Sequence, residues 1–321
     1  MDVVSDAIAA VRTGTPSTNR LTVAGKWCVR LAPYDGAGFH IALSGDCWLL
    51  PDDGPALTLR AGDAVLLPHG AGHVLAEGPT DPADVTRAIP FDMLPSSFGM
   101  LPDLPAAPDP GTAEVVELLC GKYRLDRSHT HPLLAELPDV VHLPYDDGGH
   151  PELRAAVDLL SREAAATRPG SDAAVPSLLD LLLVYMIRAW TTDHAGRGTG
   201  RWPAALADPV VAEALRLLHT DPAHPWTADR LAARAGVSRA TLGRRFTGLV
   251  GRAPMAYLTW WRMTRAATLL RTDAAPLESV ARQVGYGSPY ALSHAFRREF
   301  GVTPGRYRTT VRPARSPGPL A

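Results

Sequence analysis

Arginine side chains are concentrated near the C-terminus of this chain. The stretch GYGSPYALSHAFRREFGVTPGRYR, Gly285 to Arg308, contains four arginines and one acidic residue. A guanidinium group donates hydrogen bonds to phosphate oxygens, and it can donate two parallel bonds to the O6 and N7 atoms of guanine. The chemistry expected of this stretch is therefore recognition of a polyanion.

The charge is distributed unevenly along the chain. Residues 1–200 hold 14 basic and 26 acidic side chains, a net charge of −12. Residues 201–321 hold 18 basic side chains, all of them arginine, and 7 acidic ones, a net charge of +11. The whole chain of 321 residues has a net charge of −1. This asymmetry predicts two domains with different partners, one of them a polyanion; the alternative is a surface that is merely basic.

The basic part contains an internal repeat. Six residues recur at an offset of fifty: Ser238, Leu242, Phe246, Gly251, Pro254 and Tyr257 return as Ser288, Leu292, Phe296, Gly301, Pro304 and Tyr307. Four positions upstream of the serines match at an offset of 49, and one extra residue, Gly287, accounts for the shift. Such a fixed period indicates a duplicated structural unit.

Each copy predicts a helix, a tight turn and a second helix. Ser238 and Ser288 are the expected N-caps of the second helices. In the first copy, Leu242 and Phe246 share a buried face, because residues four apart lie on one side of a helix. The residues left exposed are Arg239, Ala240, Gly243 and Arg244 in the first copy, and Tyr290, Ser293, His294, Arg297 and Arg298 in the second.

This arrangement is a helix-turn-helix, predicted at residues 228–249 and 277–300, whose second helix fits the major groove of DNA. The segment Met255 to Arg271 reads as one longer helix between the copies. It would hold the two recognition helices about one DNA turn apart, roughly 34 Å.

Residues 205–312 resemble the DNA-binding domain of the AraC/XylS family of bacterial transcription regulators. The resemblance is carried by Ala281, Val284, Gly285, Tyr286, Ser288, Phe296, Arg297, Phe300, Gly301, Pro304, Tyr307 and Arg308. It implies base contacts from Arg239, Ala240, Gly243, Arg244, Pro289, Tyr290, Ser293 and His294, and phosphate contacts from Arg262 and Arg297. It also implies double-stranded DNA and RNA polymerase as partners, and activation as the usual outcome.

The acidic part predicts a β-rich domain. Within residues 20–145, short runs of β-forming residues alternate with turn residues at a spacing of about ten, which is typical of a sandwich or small barrel. The segment GDAVLLPHGAGHVL, Gly62 to Leu75, is similar to the second motif of cupin barrels. In metal-binding cupins the histidine at the position of His73 is a ligand, and the domain as a whole resembles the cupin type found in AraC-like regulators.

The first cupin motif departs from the family pattern, because its region offers only His40. A three-histidine metal centre is therefore not expected, and no cofactor is required. One interpretation is that His40, His73 and Cys120 form a cluster that binds a soft metal ion or senses an oxidant. Some cupin-bearing relatives respond to reactive chlorine species through cysteines. The other interpretation is two hydrogen-bonded histidines beside an apolar pocket, with an inert core cysteine.

Residues 151–191 contain two helical patterns, and the second is apolar almost all round. Either burial within the chain or a homodimer contact would cover it. Its core, LLDLLLVYMI, is interrupted by Asp180 and is shorter than a bilayer span. Because the N-terminus lacks the features of a signal peptide, we expect a cytoplasmic bacterial protein. His131, beside Pro132 on a predicted turn, is expected to be exposed.

The predicted fold is multi-domain α+β. A cupin-like β-barrel at 1–145 precedes a helical connector at 146–195, a linker at 196–204, an all-α double helix-turn-helix domain at 205–312 and a disordered tail at 313–321. The predicted function is a sequence-specific DNA-binding transcription regulator, not an enzyme, controlled by a small molecule or oxidant. The alternatives are a cupin-type metalloenzyme with a fused DNA-binding domain and a nonspecific basic architectural protein.

Overall fold

The structure, a computed structural model, describes residues 2–79, 88–91, 115–125, 130–145, 149–165, 168–195, 200–272 and 275–311. Residues 196–199 of the predicted linker and the whole predicted tail, 313–321, lie outside these ranges. The chain forms two compact units. We call Val11–Asp193 the barrel unit, and Met1–Ala10 together with His194–Ala321 the helical unit.

These units differ from the predicted domain boundaries in two respects. The first ten residues belong to the helical unit, although they were assigned to the cupin-like domain. The connector, residues 146–195, is almost entirely part of the barrel unit rather than a separate segment. Contacts within each unit account for both differences: Asp6 lies 2.8 Å from His219 in the helical unit, and the Tyr123 hydroxyl in the barrel unit donates to the Leu179 carbonyl of the connector.

The described residues of the barrel unit form ten strands. They are β1 Ser17–Ala24, β2 Cys28–Leu31, β3 Gly36–Ser44, β4 Cys47–Pro51, β5 Leu57–Leu59, β6 Ala64–Leu67, β7 His73–Ala76, β8 Ile89–Pro90, β9 Val115–Arg124 and β10 Val141–Leu143. One sheet has the order β1-β9-β3-β6-β10 and the other β5-β4-β7-β2-β8. Every pairing is antiparallel except that of β2 with β8.

Alternation along the strands builds the barrel core. Leu21 and Val23 of β1 point inward, as do Val116 and Leu118 of β9, and all four join a cluster with residues of the opposite sheet. Burying one such side chain contributes about 1.5–3 kcal/mol. Cys28 and Cys47 lie in strands, and the three cysteines, all within the described ranges, form no disulfide. The predicted β-rich N-terminal fold is confirmed.

Within the described part of the barrel unit there are three helices: α2 Pro132–Ala135, α3 Pro151–Ala164 and α4 Ser171–His194. The expectation for His131 was wrong, since this residue is fully buried. Its Nδ1 atom accepts the Leu133 N–H at 3.1 Å and so caps α2. A short helix that begins with proline still needs an acceptor for its free N–H groups, and the imidazole supplies one.

Helix α4 is longer than its apolar run suggested. Its 24 residues include an 18-residue window of mean hydropathy 1.5, so α4 could cross a bilayer by length and composition. The expectation that this segment is too short was therefore wrong, because the helix continues through Asp180. One such helix is weak evidence for a membrane span. Leu182, Met186 and Trp190 are buried, and the Tyr123 hydroxyl donates to the Leu179 carbonyl at 2.6 Å.

The helical unit contains nine helices among its described residues. They are α1 Val3–Val11, α5 Arg201–Ala207, α6 Pro209–Thr220, α7 Ala228–Arg234, α8 Arg239–Val250, α9 Pro254–Thr272, α10 Leu277–Gln283, α11 Pro289–Phe300 and α12 Pro304–Val311. The last residue of α1, Val11, already belongs to the barrel unit. Helix α9 joins the two halves, and its residues Met263, Ala266 and Leu270 enter the core formed with α10, α11 and α12. The predicted all-helical C-terminal part is confirmed.

Helix α1 is anchored in this unit by a buried polar chain. The His219 Nδ1 atom lies 2.8 Å from an Asp6 carboxylate oxygen, and its Nε2 atom lies 2.8 Å from the Tyr257 hydroxyl. The imidazole of His219 stacks on Trp261 with 4.3 Å between ring centroids. Asp6 is 3% exposed and His219 is fully buried. A carboxylate this deeply buried is stable only when it is paired.

A glycine lies in the turn of each helix-turn-helix, and the surroundings of these two glycines can be compared. Gly236 and Gly285 end α7 and α10 with φ angles of 69° and 77°. A Cβ atom at Gly236 would meet nothing within 4 Å, whereas one at Gly285 would lie 2.7 Å from the Ala223 carbonyl oxygen.

We expect Gly236→Ala to cost about 1–2 kcal/mol, the strain of a left-handed backbone. Gly285→Ala should cost about 1–3 kcal/mol more, because the backbone of Ala223 must also move. Urea unfolding of the full chain, followed by tryptophan fluorescence, measures both changes. Equal losses would show that the Ala223 contact is unimportant.

Candidate nucleic-acid interface and sensor cavity

Both recognition helices begin at a serine cap. The Ser238 hydroxyl accepts the Thr241 N–H at 3.2 Å, and the Ser288 hydroxyl accepts the Ala291 N–H at 3.2 Å. In α8, Leu242 and Phe246 are fully buried. The opposite face of the first two turns is therefore turned away from the core.

The predicted base contacts of α8 lie on this outer face. Arg239, Ala240 and Arg244 are exposed, and Gly243 is half-buried. The Arg239 guanidinium lies 3.4 Å from Asp229, a pair whose side chains are both 69% exposed, and such a pair adds little stability. Within the described part of the chain, no hydrogen bond or ion pair occupies the Arg244 guanidinium, so its donors face solvent.

The second recognition helix, α11, presents a different chemistry. Tyr290 is 82% exposed and His294 is exposed, while Pro289 and Ser293 are half-buried. A tyrosine this exposed is unusual for a structural side chain, and its ring and hydroxyl are available to a partner. The buried face, in contrast, contains Leu292, Ala295 and Phe296.

Arg297 and Arg262, the predicted phosphate contacts, have different surroundings. Arg297 is exposed. Arg262 is half-buried: its Nε and Nη2 atoms donate to the Pro222 and His224 carbonyls at 2.7 and 2.9 Å. Burial lowers the pKa of Arg262 from its ordinary value. Sequence reasoning missed this internal role, which ties α9 to the α6–α7 loop. Arg262 has three further N–H donors, so a phosphate contact through them stays a prediction.

A second site lies inside the barrel unit. A cavity of about 820 Å³ is lined by residues of β1, β2, β3, β7 and β9, and His40, His73 and Cys120 all line it. Cys120 lies directly opposite His40 in the β3–β9 pairing. The structure therefore brings together the three residues that the sequence singled out.

The two histidines form a direct hydrogen bond, with 2.7 Å between their Nε2 atoms. The His73 Nδ1 atom lies 2.9 Å from the Ala71 carbonyl, which can only accept, so Nδ1 carries the proton and Nε2 is the acceptor. His40 then donates from Nε2 and has a lone pair on Nδ1. That Nδ1 atom is buried and has no hydrogen-bond partner among the described residues.

Burial dominates the ionisation of this site. It lowers the pKa of His40 well below the ordinary value, and the neighbouring His73 lowers it further. Burial also lowers the pKa of His73. It raises the pKa of the Cys120 thiol, and Cys120 is only 3% exposed. A buried, protonated thiol is a poor nucleophile, so the arrangement matches two paired histidines beside an inert cysteine.

These residues do not fit the metal centre of a catalytic cupin. Across the described ranges there is no group of three or more His, Cys, Asp or Glu side chains placed to hold a metal ion. The two imidazoles supply two donors, whereas zinc sites in proteins use three or four protein ligands.

The buried histidines predict a pH dependence of stability. Because the folded pKa values of His40 and His73 lie below about 6.5, the unfolded chain takes up protons that the folded chain does not. Stability is then present above pH 6.5 and is lost as the pH falls below it. Between pH 7.5 and 5.5 we expect a loss of about 1 kcal/mol per buried histidine. Urea unfolding at several pH values measures the slope, which His40→Gln should reduce; an unchanged slope would contradict the assignment.

The geometry of the helical unit defines a class of protein: two capped recognition helices on one helical scaffold are the architecture of a double helix-turn-helix DNA-binding domain. Comparison with known protein families indicates the same class. A cupin family model matches residues 2–192, and a helix-turn-helix domain model matches residues 231–310.

Several known proteins are similar to this chain, two of them over most of its length and one over its DNA-binding part. An AraC-like transcription regulator of Streptomyces antibioticus is 34% identical, covering 96% of this chain and 98% of its own. The RCS-specific HTH-type transcriptional activator RclR of Escherichia coli is 30% identical, covering 77% of this chain and 89% of its own. The solved DNA-binding domain of AdpA, in complex with a target DNA, is 38% identical with a TM-score of 0.31, covering 32% of this chain and 92% of that one.

This chain belongs to the AraC family of transcription regulators and carries an N-terminal cupin domain. The family assignment made from the sequence is confirmed, and so is its function as a DNA-binding transcription regulator. The metalloenzyme alternative is not favoured, because the similar proteins are transcription regulators.

Proposed function

We propose that the chain activates transcription by placing α8 and α11 in successive major grooves of an operator, under the control of an effector held in the barrel unit. The observation that supports this most is the pair of capped helices, each with an apolar face in the core and its predicted base-contacting residues on the outside. RNA polymerase is the expected partner on DNA. We place the protein in the bacterial cytoplasm, where its DNA is.

The proposed base contacts are Arg239, Ala240, Gly243 and Arg244 of α8, and Pro289, Tyr290, Ser293 and His294 of α11. Ala240 and Gly243 have no side-chain donor or acceptor, so hydrogen bonding by the first helix depends mainly on its arginines. Arg244, which has no internal partner among the described residues, is the candidate for a two-pronged contact with guanine. Arg297, with Arg262, would position the domain on phosphates.

Replacing Arg244 by alanine should therefore weaken binding by about 1–3 kcal/mol at one operator position and relax its base preference. Arg297→Ala is the matched control: it should weaken binding to all sequences alike and lower the slope of log K against log salt by about one unit. Fluorescence anisotropy with operator variants at several salt concentrations measures both. A uniform loss for Arg244→Ala would reassign this residue to the phosphates.

The barrel unit is proposed to take a small molecule or to respond to an oxidant, without catalysing a reaction of its own and without a required metal. Any change on DNA requires that the effector bind two arrangements of the protein unequally. Two exposed apolar residues of the connector helices, Leu159 at 49% and Leu181 at 38%, are candidates for a homodimer contact. Analytical ultracentrifugation of the native chain and of Leu181→Glu tests this contact, because a charge at this position should weaken a dimer that buries it.

Footprinting on the DNA flanking the protein's own gene tests the proposal as a whole. We expect one protected region containing two adjacent major grooves on one face of the duplex. Protection that persists on scrambled DNA would instead indicate a nonspecific architectural protein. Repeating the footprint with oxidant, for the native chain and for Cys120→Ala, tests the proposed response to an oxidant. Metal analysis of the purified protein tests whether a metal ion is bound.

A further inference from the structure

The inward face of β9 changes character along its length. Val116, Leu118 and Cys120 belong to the barrel core. Two and four residues further on, Lys122 and Arg124 lie on the same face, because side chains two apart in a strand point the same way. Both line the cavity and both are exposed. The two cationic side chains therefore lie at the exposed mouth of the cavity, while Cys120 lines its buried part.

Room for the Tyr34 ring beside this mouth comes from β3. Gly38 lies opposite Lys122, and Gly36 lies opposite Arg124. With no side chains there, the ring of Tyr34 lies across both glycines. A Cβ atom on Gly38 would be only 2.9 Å from the Tyr34 hydroxyl oxygen. Tyr34, Gly38 and Lys122 therefore occupy one level of the barrel.

The Tyr34 hydroxyl has no hydrogen-bond partner in the part of the chain that the structure describes. Its oxygen is buried without a hydrogen bond to any residue that the structure describes, although the residue lines the cavity. Burial raises the pKa of Tyr34, so the phenol stays protonated and remains a donor. An unpaired buried hydroxyl costs about 1–3 kcal/mol. A ligand that accepts this hydrogen bond would recover part of that cost.

The charge of the cavity lining is opposite in sign to the net charge of residues 1–200. Arg30 is neutralised by Asp52, with two hydrogen bonds of 2.5 and 2.7 Å. Asp35 is the only acidic residue that lines the cavity within the described ranges. Lys122 and Arg124 make no side-chain ion pair with a described residue. The lining is therefore left with one positive charge in excess, although residues 1–200 have a net charge of −12.

The remaining walls are largely apolar, with Leu31, Pro33 and Phe91 among them. Small-molecule sites in proteins are commonly 300–1,000 Å³ in volume and combine apolar walls with a few placed polar groups. The present cavity, at about 820 Å³, has that size and composition.

We propose that the cavity binds an organic monoanion, a carboxylate on an apolar body, whose carboxylate accepts from the Tyr34 hydroxyl and pairs with Lys122 and Arg124. The apolar body lies against Leu31, Pro33 and Phe91. This inference rests on the proposed function in one respect, namely that the barrel unit holds the effector. It identifies the chemical class of that effector.

Isothermal titration of the full chain with matched probes tests the inference. Octanoate and benzoate supply a carboxylate on an aliphatic and an aromatic body, while octanamide and octylamine keep the aliphatic body and remove or reverse the charge. We expect one octanoate or benzoate per chain, and at least tenfold weaker binding of octanamide and octylamine. Equal affinity for octanoate and octanamide, or no binding of either carboxylate, would overturn the inference.

The chain offers a matched control, since its two lysines are Lys26 and Lys122 and both are exposed. Lys122→Met should weaken carboxylate binding about tenfold and leave octanamide unchanged, whereas Lys26→Met should change neither. Tyr34→Phe should weaken carboxylate binding several-fold. Unchanged carboxylate affinity in Lys122→Met would refute the assigned geometry.

Footprinting the same preparations separates this inference from the proposed function. If the operator is protected but no carboxylate binds, the ligand assignment is wrong and the proposed function as a regulator still stands. Carboxylate binding without any specific protection keeps the ligand assignment and counts against the proposed mode of DNA binding.

Discussion

Asp6→Ala is expected to lower the free energy of unfolding of the helical unit by about 1.5–3 kcal/mol, the usual contribution of a hydrogen bond to a charged group. The carboxylate of Asp6 is 3% exposed and accepts from His219 at 2.8 Å. Without it, the Nδ1–H of a fully buried imidazole loses its charged acceptor. Burial already lowers the pKa of His219, and Asp6 raises it in opposition, so removal of Asp6 should lower that pKa further.

Two variants on the same helix are its controls. Asp6→Asn retains an oxygen that can accept the His219 N–H, so it should be less damaging than alanine. Asp2 is exposed and accepts the N–H groups of Val4 and Ser5 at the start of α1, so Asp2→Ala should cost only the 0.5–2 kcal/mol, about 1 kcal/mol on average, of a lost cap.

Urea unfolding followed by tryptophan fluorescence measures these changes, because Trp261 stacks on His219. If Asp6→Ala unfolds no earlier than Asp2→Ala, α1 is not anchored by this chain of hydrogen bonds.

Phe296→Ala is expected to cost about 3–5 kcal/mol, as for other buried aromatic truncations. The ring is fully buried, stacks on Phe300 at 4.3 Å between centroids and meets Tyr307 edge-on at 5.4 Å. The cavity left behind would lie directly beneath α11. We therefore expect the second recognition helix to lose its position, so that footprint protection shrinks to the half-site contacted by α8.

The neighbouring Phe300 is the control for this change, because it is only partly buried and Phe300→Ala should cost less. Phe246, the repeat equivalent in α8, is fully buried as well, and Phe246→Ala should remove the other half of the protection instead. Loss of the entire footprint in both variants, with the unit still folded, would contradict a division of labour between the two helices.

The sequence predicted the helical unit well because its signals are local. Ser238 and Ser288 cap helices through residues three positions away, and Leu242 and Phe246 are spaced by the helix itself. Short runs of β-forming residues likewise indicated the barrel, whereas His40, His73 and Cys120 were singled out by the resemblance to cupins. These features depend on near neighbours, which a periodic pattern records.

Contacts between distant segments were not predictable in this way. Nothing near Asp6 indicates that it pairs with His219, more than two hundred residues away. His131 was expected to be exposed because it adjoins a proline, yet tertiary packing buries it as a cap. Lys122 and Arg124 were missed, although extending the alternation of β9 from Cys120 would have placed both on the cavity side.

The membership of the first ten residues in the helical unit has a consequence for how the protein can be dissected. The barrel unit is an insertion, joined to its host at both ends, near residue 10 and near residue 194. A fragment that starts after residue 194 would lack the segment carrying Asp6, leaving His219 without that partner and uncovering surface that α1 hides. Supplying the decapeptide 1–10 in trans, or fusing it ahead of residue 200 through a flexible spacer, should restore solubility and cooperative melting to such a fragment.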